Sequence, residues 1–73
     1  MVLVWNINET IYICLSHIVP RGEIRIFDEK KKNIVSQSFE NSNYEKVRMK
    51  QGKGNLTVRV SFDNETHTKQ VWI

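Results

Sequence analysis

Leu56, Val58, Val60 and Phe62 alternate with Thr57, Arg59 and Ser61. A period of two places the four apolar side chains on one face of a β-strand, whereas a helix would scatter them around its circumference. The same period recurs along the chain. Ile11, Ile13 and Leu15 alternate with Tyr12, Cys14 and Ser16, Ile24 and Ile26 with Arg25 and Phe27, and Val71 and Ile73 with Gln70 and Trp72. Shorter or weaker runs lie at Val2–Trp5, Asn33–Phe39 and Tyr44–Lys50, which brings the expectation to six or seven short strands.

The segments between these runs carry turn chemistry. Val19-Pro20-Arg21-Gly22 combines a proline, which holds its predecessor extended, with a glycine free to take positive φ. Asp28–Asn33, Asn41-Ser42-Asn43 and Gln51–Asn55 are polar loops, and Asp63-Asn64-Glu65 reads as a tight hairpin. No such connection is long enough for a crossover helix, so neighbouring strands pair antiparallel. The expected fold is all-β, a mostly antiparallel sandwich or barrel. One helix competes. Ser42-Asn43-Tyr44-Glu45 has the spacing of a capping box, with Gly52 as a stop. As a strand, the same stretch turns Glu45, Val47 and Met49 to one side and Tyr44, Lys46, Arg48 and Lys50 to the other.

With 73 residues, a single domain spanning positions 1–73 is all that the chain can build. Its expected core is Ile11, Ile13, Leu15, Ile24, Ile26, Val35, Val47, Leu56, Val58, Val60, Phe62, Val71 and Ile73. No apolar run approaches the roughly 18 residues of a membrane span. The stretch from Met1 to Trp5 is broken by Asn6, Asn8 and Glu9 before a signal-peptide core could form. Net charge is +3, and the one basic run, Lys30-Lys31-Lys32, is flanked by Asp28 and Glu29, as in a solvated turn.

Chemistry-bearing constellations are few. Cys14 is the single cysteine, so neither an internal disulfide nor a multi-cysteine zinc site can form. Cys14 and His17 would be the one nucleophile–base pair, but on a strand their odd separation sends them to opposite faces. His17 and His67 stand alone, without metal-ligand spacing. Asp63-Asn64-Glu65 lacks the twelve-residue frame of a calcium loop. Gly52-Lys53-Gly54-Asn55 precedes a strand, so no helix N-terminus is there to hold a phosphate. Sequons occur at Asn8, Asn55 and Asn64, and they matter only in a eukaryotic secretory protein. The expectation is no catalysis, no metal and no cofactor.

The order of features resembles a known group. Ile11-Tyr12-Ile13-Cys14-Leu15-Ser16 precedes a Pro/Gly turn, and Gly22-Glu23-Ile24-Arg25-Ile26-Phe27-Asp28 leads through a lysine-bearing loop to Ile34-Val35-Ser36-Gln37-Ser38-Phe39. Gly54-Asn55-Leu56-Thr57-Val58-Arg59-Val60 then leads to a hairpin and Thr68-Lys69-Gln70-Val71-Trp72-Ile73. This pattern resembles the small immunoglobulin-like modules of secreted Bacteroidetes proteins. These include the C-terminal sorting domains of the type IX secretion system and related secreted Bacteroides domains. The resemblance implies an immunoglobulin-like antiparallel β-sandwich of six to seven short strands, export beyond the inner membrane and no catalytic residues.

Two functions are expected from these residues. The first is a non-catalytic accessory or interaction module of a secreted, periplasmic or cell-surface protein. It would contact a protein partner or its parent's own domains through Trp72 and the basic strand bearing Lys46, Arg48 and Lys50. The second is a small basic β-barrel that binds single-stranded nucleic acid through Tyr12, Arg25 and Phe27, with Lys46 and Arg48.

Overall fold

The two longest alternating stretches do not stop where their turn residues stand. In the computed structural model, which describes residues 1–50 and 52–73, the chain forms five strands. They are β1 (Val2–Ile7), β2 (Thr10–Phe27), β3 (Asn33–Arg48), β4 (Asn55–Phe62) and β5 (Glu65–Trp72). Every pairing is antiparallel, and no helix occurs among the described residues. The Ser42–Glu45 segment is therefore strand, and Gln51 of the expected 51–55 loop lies outside the described residues.

The fold is all-β, but the expected six or seven strands become five because two expected boundaries are bends. Pro20 and Gly22 lie inside the 18-residue β2, and Asn41–Asn43 lie inside the 16-residue β3. These long strands pair with each other and turn a corner together. Val19 pairs with Ser42, Arg21 with Glu40 and Gly22 with Phe39. At the corner, exposed Pro20 and Arg21 stand side by side on β2 opposite exposed Glu40 and Asn41 on β3. Two consecutive outward residues break the strict alternation. Buried positions on β2 are therefore odd-numbered up to Val19 and even-numbered from Ile24. Asn41 takes a φ of 47°, a left-handed conformation that asparagine tolerates better than most residues. Just before the corner, the register slips: the four residues 15–18 of β2 face only Asn43 of β3.

The other edge of β2 is shared. β1 covers it from Thr10 to Leu15, and β4 covers it from Glu23 to Phe27. Residues 16–22 between them have a neighbour on one side only. Pro20, which has no N–H to donate, sits in this half-edged segment, where its missing donor costs least. The resulting strand order is β1-β2-β4-β5, with β3 along the other side of β2.

One bent sheet thus replaces the expected two facing sheets. Its two lobes curl toward each other as a half-barrel, and β1 packs against β5. The inner faces meet in one cluster that includes Ile11, Ile13, Ile24, Ile26, Leu56, Val58 and Val60, all fully buried. The expected core is observed in that cluster, with Val35 and Ile73 at its margin. Val2, Val19, Phe39 and Met49 join it from positions where alternation was weak or turn residues stood close by.

Local contacts close the ends. Asp63 and Asn64 both take positive φ, at 51° and 60°, in the two-residue turn between β4 and β5 that matches strand twist. The Asp28 carboxylate accepts the Lys30 and Lys32 amides at 2.9 Å each, which fixes the β2–β3 connection and holds the lysine run in solvent. Gly54 and Ile73 exchange two backbone hydrogen bonds, at 2.9 and 3.0 Å, beyond the end of β5.

The corner depends on a missing side chain. A Cβ on Gly22 would clash with the tip of the Phe39 ring, which lies across that position from the paired strand. Gly22→Ala is expected to destabilise the fold by about 1–3 kcal/mol, as overpacking does. Adding Phe39→Leu should recover part of that loss, and urea denaturation of the three variants checks it. Ile26→Ala, at the centre of the buried cluster, is expected to cost about 2–4 kcal/mol in the same assay.

Candidate interaction surfaces

The outward face of the first lobe is apolar where an outer sheet face is ordinarily polar. Three cross-strand rows build it from β1, β2 and β3: Leu3–Cys14–Tyr44, Trp5–Tyr12–Lys46 and Ile7–Thr10–Arg48. Trp5 stacks on Tyr12 with ring centroids 5.7 Å apart, and Tyr12 on Tyr44 at 6.4 Å. Leu3 and Ile7 flank the rings, each more than half exposed. Tyr12 and Cys14, which alternate with the core residues of β2, make this second side of the strand partly apolar. Neither Leu3 nor Ile7 was legible as part of it, because the β1 register alone brings them there.

Lys46 and Arg48 lie on β3 beside this face, with exposed Lys50 just beyond the strand. β3 is an edge of the sheet and β5 is another, so strand order separates Trp72 from these three basic residues. Trp72 is nonetheless 68% exposed, on the side of β5 that faces away from the core.

The residues of the nucleic-acid reading divide between two places. Tyr12 is directly opposite Lys46 in the first lobe. Arg25 and Phe27 belong to the second lobe, on the far side of the corner. There Arg25 pairs with Glu23 at 2.8 Å, and Arg59 lies over the Phe27 ring, 4.8 Å from its centroid.

Cys14 is half-buried between Leu3 and Tyr44. His17 lies in the slipped segment and is exposed. Its Nδ1 is 3.2 Å from the Ser16 hydroxyl, and its Nε2 is 3.9 Å from the Asp63 carboxylate. This hydroxyl–imidazole–carboxylate sequence resembles a nucleophile relay only in its order. The carboxylate is beyond hydrogen-bond reach and both flanking groups are solvated, so no carboxylate hydrogen bond orients the imidazole. The two histidines instead pack on one ring: His17 meets Phe62 edge-on at 6.1 Å, and His67 stacks on it at 5.2 Å.

The two tryptophans differ in environment, which gives a direct check of the surfaces. Trp72 should be strongly quenched by iodide in a Trp5→Phe variant. Trp5, 38% exposed and stacked on Tyr12, should be quenched less in a Trp72→Phe variant. Equal quenching would place both rings in the same environment and contradict the ladder. No protein-family model matches the chain and no curated protein matches it in sequence, so these surfaces are read from their geometry.

Proposed function

We propose that this chain is a non-catalytic interaction module of an exported bacterial protein, with the aromatic face of its first lobe as the contact surface. The observation that carries this reading is the concentration of exposed Leu3, Trp5, Ile7 and Tyr44 on one three-strand face. Contiguous exposed apolar surface is costly in water, and patches of this kind mark places where another surface docks. Aromatic anchors beside an arginine match the composition of protein–protein interfaces, and Arg48 and Lys46 supply the charged rim. Trp72 offers a second anchor at the β5 edge. The partner is a protein or a neighbouring domain of the parent chain.

The resemblance to immunoglobulin-like modules of secreted Bacteroidetes proteins supports export and a sorting or adhesion role. A bent sheet is compatible with it, since sandwiches also make corners where strands bend from one sheet into the other. A photo-crosslinking residue in place of Tyr44, expressed in the native host, tests the surface. The expected result is a protein adduct in the envelope or medium fraction, with none from the same residue at exposed Ser38 on the other lobe. An adduct of equal strength from both positions, or a purely cytoplasmic protein, overturns the proposal.

A second reading has one observation in its favour: the Trp5–Tyr12–Tyr44 ladder has Lys46 as the cross-strand partner of its central ring, and its two end rings are exposed. That pairing of ring and cation suits single-stranded nucleic acid. Titration with labelled oligothymidylate at two salt concentrations decides between them. The interaction-module reading expects no binding at low salt. Binding that falls steeply with salt, and falls further in Lys46→Gln, transfers the face to nucleic acid.

A further inference from the structure

The second lobe carries a basin that the protein-contact reading does not use. Phe27 and Lys31 from β2 and its following loop, Thr57 and Arg59 from β4, and Thr68 and Gln70 from β5 line a half-open basin of about 370 Å³. That volume is at the lower end of small-ligand sites. Its lining holds two cations, two hydroxyls and a carboxamide, and no acidic side chain.

The charges are arranged at a cost. Arg25 and Arg59 are directly opposed in the β2–β4 ladder, and like charges in that position destabilise a sheet. Glu23 neutralises Arg25 at 2.8 Å. Among the described residues, no carboxylate lies within ion-pair distance of Arg59 or Lys31. The Arg59 guanidinium is instead held over Phe27, which keeps a planar fork of donors in place. Beside it, the Thr57 hydroxyl donates to Gln70 Oε1 at 3.2 Å, leaving the Gln70 amide N–H groups for another acceptor.

We infer that this basin binds an acidic saccharide, with Arg59 and Lys31 on its sulfate or carboxylate groups and Thr57, Thr68 and Gln70 on its hydroxyls. Charge calls for an anion, and the hydroxyl and amide lining calls for a ligand rich in hydrogen-bonding groups. Nucleic acid fits less well. Phe27 is half-buried and one face of its ring carries the Arg59 guanidinium, which makes it a poor platform for a stacked base.

The test is titration of the whole chain with a dextran sulfate oligosaccharide, the matched neutral dextran and a twelve-nucleotide oligothymidylate, all at low salt. Dextran sulfate should bind and neutral dextran should not. Arg59→Gln should weaken binding by about tenfold or more, the usual loss of a charge-assisted hydrogen bond. Lys53→Gln, an equal change of charge in a loop outside the basin, should change it by less than about threefold. Lys31→Gln, on an exposed turn, should follow Arg59→Gln and carries the test if the strand variant fails to fold. Absence of dextran sulfate binding overturns the inference. So does an equal loss in Lys53→Gln, or tighter binding of the oligothymidylate. The dextran sulfate results do not bear on the Tyr44 crosslink, and oligothymidylate binding is assigned to one lobe or the other by whether Lys46→Gln or Arg59→Gln weakens it, so the two surfaces stand or fall separately.

Discussion

A single sheet of five strands has no second layer to cover it, and the corner in the β2–β3 ribbon is what lets this one cover itself. Period-two sequences generate one apolar face per strand, and that face must be buried somewhere. Here both long strands bend at the same place, Pro20–Arg21 against Glu40–Asn41, and the inward faces on either side of the bend meet. The aliphatic center of that cluster is fully buried even though the sheet does not close into a barrel. The half-edged segment of β2, the proline it tolerates and the packing of β1 on β5 follow from the same bend.

The open side leaves edges that could recruit other strands, and the chain answers with polar groups at core-facing positions. On β3, Glu45 is opposite buried Ile13 and Gln37 is opposite buried Ile24. These two polar side chains meet each other, with Gln37 donating to Glu45 at 3.4 Å and the Ser42 hydroxyl donating to the same carboxylate at 2.6 Å. The Ser-x-x-Glu spacing that suggests a helix cap thus serves a strand bend instead. On β5, Lys69 and His67 are opposite buried Val58 and Val60. Inward charges on edge strands are a recognised defence against edge-to-edge aggregation.

The alternation of Leu56–Phe62, Ile11–Leu15 and Ile24–Ile26 was enough to read the strands and nearly all of the core from the chain alone. The inward and outward sets of the 44–50 segment were legible for the same reason, since Val47 and Met49 are buried and Lys46, Arg48 and Lys50 are exposed. The strand count was not legible. Pro20, Gly22 and Asn41 have the same local preferences in a turn that ends a strand and in a bend that continues one, and tertiary pairing alone separates the two. The surfaces were half legible. Tyr12, Lys46 and Trp72 stand out by residue type, whereas the Trp5–Tyr12–Tyr44 ladder and the Arg25–Arg59 opposition exist only through register.

Gly22 is the one residue of β2 without a Cβ, and the Phe39 ring occupies the space that this leaves. A long hairpin that zips up from the Asp28 turn can slip by two residues and still keep its apolar face inward. Such a slip here would bring the Phe39 ring either against Ile24, which carries side-chain atoms where Gly22 has none, or opposite Pro20, which faces outward at the corner. The glycine–phenylalanine pair therefore favours the native alignment of β2 and β3 over its two-residue neighbours.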